Sequence, residues 1–239
     1  MNANKYILPV VLCLWCSLVA SGASALGRHE MNIGDFESLE VIDNVNVDYY
    51  CNADSAGKFV LYCTAEQANG FILSNNGKGK FTIQLTAEQE DRPDIPRAVV
   101  YSSALREAMN SSDSTLRLHG IPEQARLRMR TAANGRIEAH DIVVDELSLG
   151  IATGKGTIVA SGRCRQLAVS ILGTGVIDAE QVIAHDGRGK LTGTGTARCH
   201  VDGGELRVKG IGTGKVLYRG TPSQVKVKKM GSVKAVPIE

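Results

Sequence analysis

Apolar and polar residues alternate along the second half of the chain in a pattern that returns about every twenty residues. Four Gly-x-Gly pairs mark the repeat, beginning at Gly154, Gly173, Gly193 and Gly212. Period-two alternation on both sides of each pair predicts two β-strands joined by a tight bend, with one face inward and one outward. A fixed period of this length predicts a stacked repeat architecture.

Counting positions within the repeat places equivalent apolar residues in columns. Position zero holds Leu127, Leu147, Leu167, Gly187, Leu206 and Val225, and two residues later come Met129, Leu149, Val169, Gly189, Val208 and Val227. One copy is too short to bury its own apolar face, so the copies must stack, with equivalent residues about 4.8 Å apart. We therefore predict an all-β fold, a single-stranded parallel β-helix with coils of about 19–20 residues. Its repeats are most regular in residues 124–236.

The Gly-x-Gly pairs are predicted to form the corners of the coils. Glycine accepts positive φ and lets successive backbones approach without a Cβ. The intervening Thr174, Thr194 and Thr213 are expected to form an outward polar ladder. In the last coil, Lys226 and Lys228 alternate with valines, and lysines on an open edge strand oppose further pairing.

The cysteines are assigned by the same columns. Cys199 falls in the interior column of Ala139, Ala160 and Ala179, and Cys164 matches Val144 and Ala184. Both are therefore expected to be small core residues. Cys51 and Cys63 end two neighbouring strand-like runs, and their spacing leaves a disulfide between them open.

The first half of the chain is less regular. Strands are predicted within 36–50, 59–63, 98–101 and 116–118, and residues 26–30 are expected to be a loose lead-in. The runs 71–74 and 81–85 form either a β-hairpin or an early coil of the stack. Residues 87–96 are expected to be an exposed loop or linker, and residues 103–109 to form one or two helical turns.

The N-terminus has the features of a secretory signal peptide. Lys5 precedes an apolar run from Tyr6 to Ala20, and Ala23-Ser-Ala25 supplies a small-x-small cleavage pattern. We expect residues 1–25 to be removed and residues 26–239 to form one exported domain in the periplasm, on the cell surface or outside the cell. After that removal we expect no transmembrane span.

Composition narrows the function classes. The chain has 27 basic and 25 acidic residues, a net charge of only +2. Nucleic-acid binding needs a clustered basic excess, so we do not expect nucleic acid as a partner.

No motif predicts a catalytic, cofactor-binding or metal-ligating residue. The Gly-Thr-Gly pairs do not complete Gly-x-Gly-x-x-Gly, and apolar residues stand where calcium-binding rolls need aspartate. His140, Glu180 and His200 share one offset but are spaced too sparsely for a metal site. Asp178, Glu180, Arg198, Lys215 and Arg219 could approach one another across coils, as in β-helix enzymes that act on acidic polysaccharides.

The repeats resemble a known family. Residues 167–179, 206–214 and the closing 225–233 are similar to the glycine-corner repeats of the "putative auto-transporter adhesin, head GIN domain" family. Residues 36–49, 77–83 and 99–101 are similar to its entry strands, so the resemblance covers about residues 33–236. It implies an exported bacterial β-helix protein of a kind common in Bacteroidetes, with no catalytic residues.

These observations predict a non-enzymatic binding or adhesion module of the cell envelope, whose partner is a surface glycan or a protein. Two alternatives stay open. One is a polysaccharide-acting lyase or hydrolase, and the other is a structural module that self-assembles through the solenoid ends.

Overall fold

The computed structural model describes residues 26–239, which wind into a β-solenoid of about seven turns. Strand makes up 64% of these described residues and helix 6%, which confirms the all-β parallel β-helix prediction. The signal peptide predicted for residues 1–25 lies outside the described residues.

Within residues 26–239, eighteen strands form one continuous sheet that wraps around the core. In the N-terminal half they are β1 (Gly27–Asn32), β2 (Ser38–Val41), β3 (Val47–Cys51), β4 (Lys58–Cys63), β5 (Phe71–Asn75), β6 (Lys80–Leu85), β7 (Ala98–Ser102), β8 (Glu107–Asn110) and β9 (Thr115–His119). In the C-terminal half they are β10 (Gln124–Thr131), β11 (Arg136–Ile151), β12 (Thr157–Gly173), β13 (Val176–Gly193), β14 (Thr196–Val201), β15 (Glu205–Gly212), β16 (Lys215–Arg219), β17 (Gln224–Gly231) and β18 (Lys234–Pro237). Two short helices, α1 (Ala65–Asn69) and α2 (Ala87–Glu90), and a 3-10 turn (Ala53–Ser55) lie between the early strands.

The predicted columns are the register of the parallel sheet. Leu127 pairs with Leu147, Leu147 with Leu167, and the same column continues through Gly187 to Leu206 and Val225. Nearly all of these side chains are buried, so each Leu or Ile contributes about 1.5–3 kcal/mol of hydrophobic stabilisation. Strands β11 to β13 bend around the core at register shifts such as that between Ala139 and Ile142.

The two glycines of each corner have separate roles. The first has positive φ, from 82° at Gly154 to 127° at Gly173, a conformation that side chains other than glycine avoid. The second lies against the coil before it: a Cβ on Gly175 would sit 2.5 Å from the Gly156 carbonyl oxygen. The threonines between them, such as Thr174, are exposed, as predicted.

The order of the first coils in space differs from their order in the chain. Strand β2 lies between β6 and β8, and β3 lies between β7 and β9. The first coil, formed by β2 and β3, therefore lies between two coils that come later in the chain. The coil of β6 and β7 is stacked on its N-terminal end, and the coil of β8 and β9 is stacked on the side that faces β10 and β11. Residues 71–85 are a hairpin, because β5 pairs antiparallel with β6, and β6 also begins the parallel stack.

Two local predictions for this half were wrong, and a third was right only in part. Residues 26–30 are not a loose lead-in, because β1 pairs antiparallel with β4 and forms the outer edge. Residues 103–109 contain no helical turn, since β8 pairs in parallel with β2 and β10 there. Residues 87–96 are not wholly an exposed loop, because α2 packs there with its Gln89 side chain buried.

Aromatic residues close the N-terminal end of the core. All four phenylalanines lie there, and Phe81 contacts both Phe36, at 5.1 Å between ring centroids, and Phe59, at 6.4 Å. The four cysteines of the described residues are all free, including Cys51 and Cys63. Cys199 stacks between Ala179 and Tyr218 in the interior column, as its position predicts.

A buried polar cluster fills one corner of the solenoid next to the aromatic N-terminal end of the core. Asn110 is fully buried, and its amide donates to the carbonyl oxygens of Ser114 at 2.8 Å and Arg136 at 3.2 Å. Its carbonyl oxygen accepts from the backbone N–H and the hydroxyl of Ser112. This side chain replaces backbone hydrogen bonds that the coil cannot make as it turns.

Candidate ligand-binding trough

One wall of the solenoid carries a trough on its outer surface. On this wall the outward residues in the middle of β10 are long and basic, those in the matching part of β11 and β12 are small, and those in the matching part of β13 are again long and basic. In register across these strands and β15 run Arg128, Ser148, Ala168, Arg188 and Arg207, and two residues later Arg130, Gly150, Ser170, Lys190 and Lys209. The small residues form a floor, and the basic residues form its two sides.

The trough consists of three adjoining hollows of about 460, 320 and 450 Å³. Ser148 lines all three, and Ser170 lines two of them. The floor spans two strands, and the sides stand on the strands beyond, so the Cα atoms of opposite sides are about 14 Å apart at sheet spacing. The depth follows from side-chain length alone, because the backbone beneath is a regular parallel sheet.

Positive charge predominates along the sides. Glu107 is the acidic partner of both Arg128 and Arg130, each at 3.9 Å. On the opposite side Arg207 pairs with Glu205. Among the described residues, no acidic side chain lies within ion-pair distance of the three cations Arg188, Lys190 and Lys209.

The acidic residues at one end of the trough are held ionised by their partners. Hydrogen bonds from Arg207 and Lys226 lower the pKa of Glu205 to about 2. The backbone N–H of Glu205 donates to Asp186 at 3.0 Å, and this bond with the neighbouring His185 lowers the pKa of Asp186. Both carboxylates are therefore engaged within the protein at neutral pH.

Sequence reasoning missed this trough. The column count followed the inward positions, where apolar residues repeat, and did not follow the outward positions between them. The signal was available one and three residues after position zero, where basic residues on β10 give way to small ones on β11 and β12 and return on β13.

Four of the five charged residues singled out from the sequence form two ion pairs with one another. Arg198 contacts Asp178 at 3.1 Å on the neighbouring coil, and Arg219 contacts Glu180 at 2.9 Å across two coils. Lys215 makes no ion pair among the described residues. Each carboxylate therefore has a guanidinium partner, and the pair does not present two unpartnered carboxylates to a shared cleft.

The histidines do not converge on a common site. The His140 imidazole contacts the Ser161 hydroxyl at 3.1 Å, whereas His200 is in register with Arg219 one coil later. Within residues 26–239 no three His, Cys, Asp or Glu side chains are placed to hold one metal ion.

Comparison with models of protein families shows which family the chain belongs to. The model described as "Putative auto-transporter adhesin, head GIN domain" matches residues 35–222, well over half of the chain. The chain belongs to this family. Among curated proteins no relative of this head GIN domain protein matches its sequence.

Solved structures share the fold of this head GIN domain chain. A "putative adhesin" from Bacteroides fragilis superposes with a TM-score of 0.81 at 14% identity, covering 90% of this chain and 98% of the other. A "putative adhesin" from Parabacteroides merdae gives 0.71 at 18% identity, covering 91% and 98%. A "putative lipid binding protein" from Parabacteroides distasonis gives 0.71 at 17% identity, with the same coverage.

These names fit an adhesin-like role for the family. At such identities the structural likeness establishes the fold, and the ligand has to be argued from this chain's own residues. In the described part of the chain, the helices are too short and too polar to cross a membrane.

Proposed function

We propose that this head GIN domain protein is an exported, non-enzymatic binding module of the bacterial envelope. Its trough is the contact surface, and its partner is a surface glycan or an extracellular protein. Residues 26–239 form the binding domain, and the signal-like segment 1–25 directs export to the periplasm, the cell surface or the medium.

The trough carries this proposal because it combines an accessible concave surface with uncompensated charge. Binding sites are concave and place a few polar groups where they fix a ligand's orientation. Here the serine hydroxyls of the floor and the cations of the sides point into the same space. A solenoid suits this role because its stacked strands hold such side chains at fixed spacing.

The rival enzyme function is less well supported. Most glycoside hydrolases use a pair of carboxylates on either side of the scissile bond, one acting as acid and the other as base or nucleophile. The candidate carboxylates Asp178 and Glu180 each have an arginine partner instead. No carboxylate is among the residues lining the hollow between Arg130 and Lys190.

The test is a binding screen of the purified protein on an array of glycans and extracellular-matrix proteins, with Ser148→Tyr as the matched variant. The tyrosine ring would fill the point shared by the three hollows without changing net charge. We expect the wild-type protein to bind at least one ligand class and the variant to lose that binding. Binding nowhere on the array, or release of new reducing ends from a polysaccharide, would contradict the proposal.

A further inference from the structure

The three cations without acidic partners suggest what the trough holds. Arg188 and Lys190 are exposed neighbours on β13, and Lys209 stands beside Lys190 on β15. Like charges that are neighbours on one surface repel one another, and a bound anion relieves that repulsion. We propose that the trough binds an anionic polysaccharide, one that carries carboxylate or sulfate groups; this inference rests on the proposed binding function.

The geometry matches an extended polymer with regularly placed charges. The floor from residue 148 to residue 152 gives the trough a length of about 13 Å at strand rise, open at both ends. Arg128 on one side and Arg188 on the other present guanidinium forks, which match carboxylate and sulfate oxygens in pairs. A chain lying along the strands would meet cations on both sides at once.

The floor supplies the second part of the recognition. Ser148 and Ser170 each offer a hydroxyl that donates and accepts, as sugar hydroxyls do. Gly150 and Ala168 between them add no side-chain bulk beyond a methyl group, so a flat sugar ring can approach the sheet. Charge would thus fix the acidic groups, while the floor would contact the rest of each ring.

Other anionic polymers fit less well. Single-stranded nucleic acid is held by aromatic platforms on which bases stack, and none of the residues lining the three hollows is aromatic. The ring stack of Tyr50, Tyr101 and His119 lies on another wall, on β3, β7 and β9, where the rings cover one another's faces. A lipid acyl chain needs an enclosed apolar cavity, whereas these hollows are open to solvent along a polar floor.

The experiment measures binding of polygalacturonate, chondroitin sulfate and neutral dextran by affinity electrophoresis and titration calorimetry. The variant Arg188→Ser/Lys190→Ser removes two charges from the trough. Its matched control, Arg163→Ser/Arg165→Ser, removes two exposed charges from β12 outside the trough and changes net charge equally. We expect binding of at least one acidic polymer, about tenfold or more weakened in the trough variant and little changed in the control. Raising the salt concentration should weaken it further.

The outcomes separate this inference from the proposed function. Binding only to neutral dextran or to a protein would leave the binding function standing and overturn the anionic polysaccharide. Equal weakening in both variants would indicate nonspecific charge attraction and would also overturn it. Preferential binding of single-stranded DNA or of anionic phospholipid vesicles would assign the trough to a different ligand class. If the trough variant unfolds, Ser148→Tyr serves in its place, because it blocks the floor at unchanged charge.

Discussion

The corner glycines give the sharpest test of how the sequence specifies the solenoid. Gly175 has no positive φ, so an alanine there would not strain its own backbone. Its added methyl group would, however, lie 2.5 Å from the Gly156 carbonyl oxygen and 2.6 Å from Ile151 Cδ1. The isoleucine tip can rotate away, but the carbonyl belongs to the neighbouring coil and cannot.

The expected cost follows from these contacts. Overpacking a well-filled site costs about 1–3 kcal/mol, and a backbone contact places Gly175→Ala in the upper part of that range. Alanine also reduces the conformational entropy of the unfolded chain, which offsets this loss of stability by about 0.4–1 kcal/mol. We therefore expect a net loss of about 2 kcal/mol, which at this chain length lowers Tm by roughly 4–8 °C.

The matched control is Gly150→Ala. Gly150 lies in strand β11 and has no positive φ, and a Cβ there would only touch the Arg130 Cγ atom at 3.4 Å. Urea unfolding followed by circular dichroism should find this variant neutral or stabilised by up to about 1 kcal/mol. If the two variants unfold at the same urea concentration, close approach between coils is not the reason for the second corner glycine.

Three further predictions concern side chains in and beside the core. Burial raises the pKa of the Cys199 thiol to about 12. Iodoacetamide at pH 8 should therefore label the more exposed Cys51 first and Cys199 only after unfolding. Rapid labelling of Cys199 in the folded protein would contradict its place in the core column. The pKa of Glu205 is lowered from 4.5 to about 2, so the stabilisation it provides is present above pH 4.5 and is lost as pH falls toward 2. In Glu205→Gln the urea concentration at half unfolding should therefore fall less steeply as the pH is lowered. An unchanged pH dependence would refute this prediction. Asn110→Ala should lower the free energy of unfolding in urea by about 2–4 kcal/mol, because it leaves buried backbone groups unpaired. The control Asn134→Ala, at an exposed side chain, should lower it by less than about 1 kcal/mol. Equal losses would contradict a stabilising role for the buried polar cluster around Asn110.

The regular coils could be predicted from the sequence because a parallel stack forces each inward column to stay apolar. A single count placed Leu127, Leu147 and Leu167 in register and assigned Cys199 to the core. The sequence predicts glycine at the corners for two reasons, positive φ and close approach between coils. In the structure the first glycine of each pair has the positive φ, and the second makes the close approach.

The N-terminal half could not be predicted in the same way. Local alternation identifies β2 and β6 as strands, but it carries no information about which strand lies beside which. The insertion of the first coil between two later ones depends on contacts between residues far apart in the chain. Residues 103–109 were read as helical for a related reason: the strand pairing of β8 on both sides overrides a weak local preference.

The trough lies between these two cases. Outward residues are not constrained by core packing, so the alternation of basic and small side chains across β10 to β13 is free to serve binding. It becomes visible only when the outward columns are read across coils, as with Arg128, Ser148, Ala168 and Arg188.

Hydrogen–deuterium exchange with and without polygalacturonate tests the central claim most directly, because it locates the contact without altering a residue. We expect the acidic polymer to slow exchange in residues 126–130, 148–152, 168–172 and 188–192, which form the sides and floor of the trough. Residues 157–160 and 176–179, on another wall of the same coils, should be unaffected. Protection confined to that other wall, or to the open edge at β17, would contradict the assignment of the trough as the binding surface.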